Sequence, residues 1–363
     1  MTSNVGFGLC LFLWLTASLV KAAAKSPDTV KSPNVVVILT DDQGTLDAGC
    51  YGATDLHTPH IDALAQRGVR FTQAYSHMVC CPARAMLLTG RYPQRGNVNS
   101  WVQGRFESDS RNMFSSEITI AEVLKDVGYR TALFGKWHLG SSPGSGPTTQ
   151  GFDEFFGIRA GFIDNYNHFH LHDSGYHTLF EGETEVFRHG EYFPDLITQR
   201  SINFIEENQG QPFFLYYAMN IPHYPEQSIR QFASQYADLP EPRRSYASIV
   251  STTDHYIGQI IDTLDRLGVR DNTMVIYTSD NGYSAEDYQI EVDDHASGLP
   301  KGHNYGANGG GGYSGKWLGT KASLLEGGIR VPAIVSYPNQ FPEGHVRDQL
   351  ITAMDWLPTI IET

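Results

Sequence analysis

The sequence predicts an α/β fold with a mainly parallel central sheet and helices on both faces. Strand-like apolar runs alternate with helix-like segments along most of the chain, as expected of such a fold. The runs Asn34–Leu39 and Met274–Thr278 are almost entirely apolar, like strands that are buried on both faces. The 363 residues suffice for one large domain or two smaller ones.

The overall composition gives no support for binding to nucleic acid. Charged residues make up 18% of the chain and aromatic residues 12%, which is typical of a globular protein. The formal net charge is −14. An anionic substrate would therefore have to be attracted by a local basic cluster, because the molecule as a whole repels it.

The first residues resemble an export signal. An apolar run from Val5 to Val20 ends at three alanines, which predicts a signal peptide at 1–24 with cleavage near Ala24. This run of about sixteen residues is short for a membrane span, so no stable span is expected. No Lys or Arg precedes the run, which departs from the usual signal-peptide pattern. A retained N-terminal anchor is the alternative. We expect a periplasmic or secreted protein whose folded domain covers 25–363.

Cysteine usage indicates no disulfide scaffold. Without the leader the chain keeps Cys50, Cys80 and Cys81, an odd number for an exported protein. A disulfide between Cys50 and Cys81 is an open alternative that no sequence pattern supports.

The other elements follow from periodicity and from helix-start and helix-stop residues. Predicted helices cover Thr58–Ala65, Thr119–Leu124, Pro194–Glu206, Tyr246–Leu267 and Ala353–Glu362, and predicted strands cover Val69–Tyr75, Tyr129–Phe134, Pro212–Ala218 and Val331–Ser336. The glycine-rich stretch 304–319 predicts a loop, and it lacks the spacing of a phosphate-binding loop.

Oxygen donors follow two of the predicted central strands. Asp41 and Asp42 come directly after the first, and Asp280 and Asn281 follow the run Met274–Thr278. Open α/β sheets bind ligands at the carboxyl ends of their strands. A ligand set made only of oxygen atoms favours a hard divalent cation, Ca²⁺ or Mg²⁺.

A cysteine pair precedes an apolar helical run in the stretch 80–91. Pro82 suits a first helical position, which predicts that Cys80 lies just before the helix, near free backbone N–H groups. Arg84 lies in the first turn. A nucleophile beside a helix start and a guanidinium indicates chemistry on an anionic ester.

Two further segments present candidate catalytic groups. Lys136 and His138 follow a predicted strand between two glycines, and in an extended segment they would share one face. His223 lies between two prolines, which would fix its backbone. An ordinary solvated or turn residue is the alternative at each position.

The segment 153–187 is rich in aromatic residues and histidines and has little periodicity. His168, His170 and His172 alternate and could present three imidazoles on one face. This pattern leaves open a transition-metal site, a substrate-facing loop or a surface loop without function.

The stretch 80–91 resembles the signature of type I sulfatases, in which Cys-x-Pro-x-Arg is followed by Leu-Thr-Gly-Arg. Cys81 occupies the variable position, and Ala83 stands where many members carry serine. The Gly-Lys-x-His element at 135–138, the Pro-His-x-Pro element at 222–225 and the block around Lys321 follow in family order.

The resemblance implies an alkaline phosphatase-like fold and hydrolysis of sulfate monoesters. A separate maturation enzyme would oxidise Cys80 to formylglycine. One cation, Ca²⁺ or Mg²⁺, would be held by the modified Cys80 and by Asp41, Asp42, Asp280 and Asn281.

The resemblance also implies roles for the basic residues. Arg84, Lys136 and Lys321 would stabilise charge on the sulfuryl oxygens. His223, alone or with Lys321, would protonate the leaving oxygen, and His138 would deprotonate the second hydroxyl of hydrated formylglycine.

The expected substrate is a sulfated polysaccharide or oligosaccharide, on the grounds of class and export rather than of any one residue. The alternatives are a phosphate monoester or diester hydrolase of the same superfamily and a non-catalytic relative that binds sulfated glycans. Family members usually continue into a small antiparallel C-terminal subdomain, so the end at Thr363 predicts a truncated sequence or a protein without that piece.

Overall fold

The computed structural model describes Met1 and residues 32–101, 112–286, 289–303 and 309–363. The predicted signal peptide, apart from Met1, lies outside these ranges. Ser32–Thr363 forms one compact unit.

Strands and helices alternate from the first described strand onward. The strands are β1 Asn34–Thr40, β2 Val69–Tyr75, β3 Arg130–Lys136, β4 Glu154–Ile158, β5 Phe169–His170, β6 Tyr176–His177, β7 Leu179–Glu181, β8 Thr184–Glu185, β9 Phe213–Ala218, β10 Thr273–Ser279, β11 Ala333–Ser336 and β12 His345–Thr352. The helices are α1 Pro59–Gln66, α2 Cys80–Thr89, α3 Ile120–Asp126, α4 Phe193–Asn208, α5 Arg230–Gln235, α6 Arg243–Arg266, α7 Glu326–Ile329 and α8 Trp356–Glu362. Short 3₁₀ helices cover Gly49–Tyr51, Pro93–Gly96, Pro147–Thr149, Arg270–Asn272 and Ala353–Asp355.

Ten of these strands form one sheet in the order β12-β2-β11-β10-β1-β9-β3-β4-β7-β8. The central strands β10, β1, β9, β3 and β4 are parallel, whereas β11, β7 and β8 run antiparallel to their neighbours. The predicted α/β class with a mainly parallel sheet is confirmed. The segment 153–187, whose sequence has little periodicity, supplies the central strand β4 and four short strands.

Helices cover both faces of the sheet because the inner strands are apolar on both sides. Val35, Val37 and Leu39 of β1 pack in one core with α2, α3 and α8. Val36 and Ile38 point to the opposite face and pack with α1, α4 and α6. Among the described helices, none is both long and apolar enough to cross a membrane.

The register of the central strands brings their carboxyl ends to one edge. Thr40 pairs with Ser279, so the residues that follow β1 and β10 lie side by side. Gly135 of β3 pairs with Ala218 of β9, which places Lys136 at the same edge. Helix α2 begins at Cys80 itself, so the prediction that Cys80 precedes the helix and that Pro82 opens it was wrong by two residues.

A row of small residues crosses the sheet just before this edge. Gly135 pairs with Gly157 of β4 on one side and with Ala218 on the other. A Cβ atom on Gly135 would lie 1.8 Å from the carbonyl oxygen of Ala218, and the φ of Gly135 is +126°. Only glycine therefore fits beside Lys136.

We expect Gly135→Ala to destabilise the protein by at least about 4 kcal/mol, because it combines a backbone clash with a strained φ. Gly128→Ala is the matched control, since Gly128 also has a positive φ but has no atom within 4 Å of the added Cβ. The control should cost only about 1–2 kcal/mol. Urea unfolding of both variants measures the difference, and equal losses would contradict the clash.

Candidate active site

Four oxygen-bearing side chains meet at the carboxyl ends of β1 and β10. Asp41, Asp42, Asp280 and Asn281 are all buried. The backbone N–H of Asp42 donates to Asp280 Oδ1 at 3.2 Å, and Asn281 Nδ2 donates to Asp42 Oδ1 at 2.6 Å. Asp42 has a φ of +63°, which turns the chain sharply after the strand. The structure thus brings together the two pairs that the sequence singled out.

Two fully buried cations lie against these carboxylates. Lys136 Nζ lies 2.5 Å from Asp41 Oδ2. The guanidinium of Arg84 donates to Asp280 Oδ2 through Nη2 at 2.8 Å and Nε at 3.1 Å, and through Nη1 to the carbonyl oxygen of Lys136 at 2.9 Å. Ion pairs in which both partners are fully buried are costly to break from either side. Arg84 and Lys136 therefore fix the acidic pair as well as supplying charge.

The thiol of Cys80 faces His138. Cys80 Sγ lies 3.2 Å from His138 Nδ1, and both residues are buried. A hydrogen bond with Cys81, and then the positive charge of Lys136, hold the pKa of the Cys80 thiol well below its usual range despite burial. His138 has a φ of +56°, so the predicted extended segment from Lys136 to His138 was wrong, although both side chains reach the site.

Lys321 joins His223 to the acidic pair. Lys321 Nζ lies 2.9 Å from Asp42 Oδ2, 3.0 Å from His223 Nε2 and 3.1 Å from Glu286 Oε2. The other ring nitrogen of His223, Nδ1, lies 2.6 Å from the carbonyl oxygen of Tyr224. Since a carbonyl only accepts, Nδ1 carries the proton in neutral His223 and Nε2 accepts from the Lys321 ammonium.

The oxygen cluster fits a hard divalent cation. Asp41 Oδ1 and Asn281 Oδ1 are buried and have no hydrogen-bond partner within the described ranges. Burial and then the Asp280 carboxylate raise the pKa of Asp41 well above its usual range, and burial raises that of Asp42 to about 7. Unpartnered oxygens and crowded carboxylates are what a bound cation would relieve. Ligand atoms of Asp41, Asp42 and His223 lie within 4.8 Å of one another.

These groups open into a cavity of about 140 Å³. Its described lining residues are Cys80, Trp101, His138, Gly161, Phe162, His170, His172, His223, Tyr224, Glu286 and Lys321. Trp101, Phe162, Tyr224 and Glu286 had no individual signal in the sequence, because they lie in segments without periodicity. Arg84 and Lys136 do not line the cavity but lie beneath it.

The three alternating histidines do not share one face. His170 and His172 line the cavity with ring centroids 5.5 Å apart. His168 has a φ of +64° and is directed elsewhere, with Nε2 at 3.1 Å from the carbonyl oxygen of Glu191. In the described ranges the three do not form a metal-ligating cluster, so that alternative was wrong. A substrate-facing position remains for His170 and His172.

Together these features define an α/β protein with adjoining anion- and cation-binding groups at the carboxyl edge of a parallel sheet. The chain belongs to the sulfatase family, whose model, described as Sulfatase, matches residues 33–363.

Its relatives include two mammalian sulfatases and a solved structure. The N-acetylgalactosamine-6-sulfatase of Canis lupus familiaris is 32% identical and covers 99% of this chain and 66% of its own length. The steryl-sulfatase of Homo sapiens is 30% identical, covering 98% and 69%. The crystal structure of Ps i-CgsB in complex with k-i-k-neocarrahexaose has a TM-score of 0.76 at 27% identity, covering 92% of this chain and 72% of that chain. The chain thus spans about two thirds of the length of these curated relatives.

Buried histidines should make the fold sensitive to acid. Burial lowers the pKa of His170 from 6.5 to about 3, so the unfolded chain binds a proton across this interval while the folded state does not. Stability should therefore rise with pH between about 3 and 6.5, by up to about 1.4 kcal/mol per pH unit for this group.

His170→Gln should flatten this dependence, and His345→Gln, at an exposed position, should not. Chemical denaturation at intervals between pH 4 and 7 gives both slopes. If stability depends on pH equally in the His170 variant and in the wild type, then the His170 imidazole of the wild type is protonated in the folded protein.

Proposed function

We propose that this chain is a sulfuric ester hydrolase that removes sulfate from a sulfated carbohydrate. The observation that carries the proposal is the position of Cys80, the first residue of α2, at the cavity wall with its Sγ 3.2 Å from His138 Nδ1. Transfer of a sulfuryl group requires a nucleophile with a base beside it, together with basic residues and oxygen ligands nearby, and this is the arrangement around position 80.

Cys80 is the proposed site of conversion to formylglycine by a separate maturation enzyme. Formylglycine, when formed, supplies a hydrated aldehyde whose hydroxyl can attack sulfur. The structure supports this through the surroundings of position 80: a base at 3.2 Å and the positive charge of Lys136 nearby. Groups that favour a thiolate here would equally favour an ionised oxygen.

The proposed metal ligands are Asp41, Asp42, Asp280 and Asn281, together with the modified side chain at position 80. A bound Ca²⁺ or Mg²⁺ would lower the pKa of the attacking hydroxyl and balance charge on the sulfuryl oxygens. Support comes from the two unpartnered oxygens, Asp41 Oδ1 and Asn281 Oδ1. Calcium is proposed because a cluster of carboxylate and amide oxygens suits it.

The three basic residues Lys321, Arg84 and Lys136 are proposed to have different roles. Lys321 lines the cavity and is placed to bind a sulfuryl oxygen. Arg84 and Lys136 are fully buried against Asp280 and Asp41, so they hold the carboxylates in place and add positive potential from below. Their charges act over a short distance in a region without solvent, where electrostatic effects are large.

His223 and Lys321 are proposed to protonate the leaving oxygen as a pair. Burial and then the Lys321 and Lys136 charges lower the pKa of His223 well below its usual range, so the imidazole is neutral at rest. Its Nε2 lies 3.0 Å from the Lys321 ammonium, which can therefore supply the proton through the imidazole or directly.

His138 is the proposed base at position 80. Burial lowers its pKa, which keeps the imidazole neutral and able to accept a proton from a hydroxyl at that position. With formylglycine at position 80, His138 would be the group that takes the proton of its second hydroxyl, as release of sulfate requires.

A sulfated polysaccharide or oligosaccharide is the proposed substrate. Ps i-CgsB was crystallised with a neocarrahexaose, and the canine relative is named for N-acetylgalactosamine-6-sulfate. Trp101, Phe162 and Tyr224 give this cavity the aromatic surface against which sugar rings pack. Export to the periplasm or the exterior, proposed from the N-terminal sequence, would give access to such polymers.

Protein from the native host should show conversion of Cys80 to an aldehyde by peptide mass spectrometry, with Cys81 unchanged. Matured wild type should hydrolyse an aryl sulfate, and Cys80→Ala should lose at least about 10⁴-fold in kcat because the attacking group is gone. Cys50→Ala is the control, since Cys50 does not line the cavity. Faster hydrolysis of matched phosphate esters would favour the phosphatase alternative, and near-normal turnover by Cys80→Ala would exclude the mechanism.

Calcium should stabilise the folded protein. At about 100 times the dissociation constant it should add about 2.7 kcal/mol, raising the thermal midpoint by about 5 °C. Asp41→Asn should abolish most of this shift, whereas Asp173→Asn, at an exposed site, should keep it. Differential scanning calorimetry after chelation and after titration with Ca²⁺ or Mg²⁺ provides the measurement. Equal shifts in both variants would place the cation elsewhere.

A further inference from the structure

The described part of the cavity wall includes a contact between a lysine and a glutamate. Lys321 Nζ lies 3.1 Å from Glu286 Oε2, and Lys321 is the only lysine or arginine among the described lining residues. Burial raises the pKa of Glu286, but the Lys321 ammonium outweighs this effect and holds that pKa below its usual value, so the carboxylate is ionised at neutral pH. Burial lowers the pKa of the lining imidazoles His170 and His172, which favours their neutral forms. The basic side chain that faces the anion site is therefore paired with an acidic one.

Glu286 is the exposed member of this pair. Its side chain is 47% exposed, whereas that of Lys321 is 4% exposed. Ser284 fixes the carboxylate, because its hydroxyl donates to Glu286 Oε2 at 2.9 Å while the backbone N–H of Glu286 donates to Ser284 Oγ at 3.1 Å. A held, half-exposed carboxylate therefore lies at the mouth of the cavity, 3.1 Å from the lysine that faces the sulfate.

Glu286 would interact differently with the groups that lie beside the sulfate in a substrate, depending on the charge of those groups. A hydroxyl or ammonium beside the sulfate can donate to Glu286. A carboxylate or second sulfate at that place would be repelled by Glu286, and among the described lining residues it would find no lysine or arginine besides Lys321.

We propose that Glu286 is a specificity-determining residue, which makes the site select esters whose only anionic group is the sulfate to be removed. The substrate class is a singly sulfated sugar unit that is otherwise neutral or carries an amine. This inference rests on the proposed function and refines it, since the sequence pattern of the family says nothing about position 286.

A second effect of Glu286 must be separated from selectivity. Its carboxylate also occupies one of the three N–H donors of Lys321 and so competes with every sulfate alike. Loss of that competition would change kcat/KM by the same factor for every sulfate ester. Selection between esters shows itself only in the ratio of kcat/KM values for two substrates that differ in a charge away from the sulfate.

The test uses two aryl sulfates, para-sulfooxybenzoate and its methyl ester, with matured wild type and Glu286→Gln. The variant should raise kcat/KM for the carboxylate relative to the ester by about 5- to 10-fold, as expected for removal of one like charge at short range. Differences in leaving-group reactivity cancel, because each enzyme acts on the same pair. Added salt should move the wild-type ratio toward that of the variant.

Glu343→Gln removes the same charge from an exposed turn outside the cavity and should leave the ratio at the wild-type value. An identical ratio in wild type and Glu286→Gln would overturn the inference, as would an equal change in the Glu343 variant.

Calorimetric binding of both probes in a Cys80→Ala background separates this inference from the proposed function. A ratio of dissociation constants that shifts with Glu286→Gln supports the role of Glu286 even without turnover. Failure of both probes to bind any of these proteins would overturn the proposed function and this inference together.

Discussion

The site depends on the buried ion pairs beneath it. Asp41 and Asp280 directly follow the adjacent strands β1 and β10, and two carboxylates buried so close together repel each other strongly. Lys136 and Arg84 balance them from the side of the protein, at 2.5 Å and 2.8 Å. One carboxylate oxygen of Asp41 has no hydrogen-bond partner among the described residues, and burial and then Asp280 keep the pKa of Asp41 raised. The two buried cations therefore balance this acidic cluster only in part, which is the feature on which the proposed cation site rests.

The sheet explains why so few residues can occupy this edge. Parallel strands β1, β9, β3 and β10 end within one register step, so their following residues converge without long loops. The row formed by Gly135, Gly157 and Ala218 has no room for larger side chains, because a Cβ on Gly135 or Gly157 would meet backbone at 1.8 Å. Lys136, which directly follows Gly135, reaches Asp41 from two strands away. The chemistry of the site is thus linked to backbone packing behind it.

The features that could be predicted best from the sequence are those that a local pattern of residues determines. Asp41 and Asp280 could be placed because each directly follows an apolar run whose strand type is unambiguous, and parallel strand ends converge. Strand β12 was not predicted, because six of its eight residues are exposed and its sequence therefore lacks an apolar run. It forms through its pairing with β2. Two features of the site depend on packing between distant segments: the left-handed backbone of His138 and the contact of Glu286 with Lys321. The periodicity of a sequence carries no information about such packing.

The ammonium of Lys321 has a part in both the proposed anion binding and the proposed proton transfer. Its three N–H donors match three partners, Asp42, His223 and Glu286, at 2.9, 3.0 and 3.1 Å. A sulfuryl oxygen can bind this lysine only by replacing one of them. Asp42 Oδ2 and His223 Nε2 belong to buried side chains, and each would lose its ammonium donor at high cost, whereas Glu286 is half exposed and can return to water. Under the proposed mechanism, binding of the ester would therefore release the Glu286 carboxylate from Lys321 and keep the contact between Lys321 and His223, the proposed proton donors.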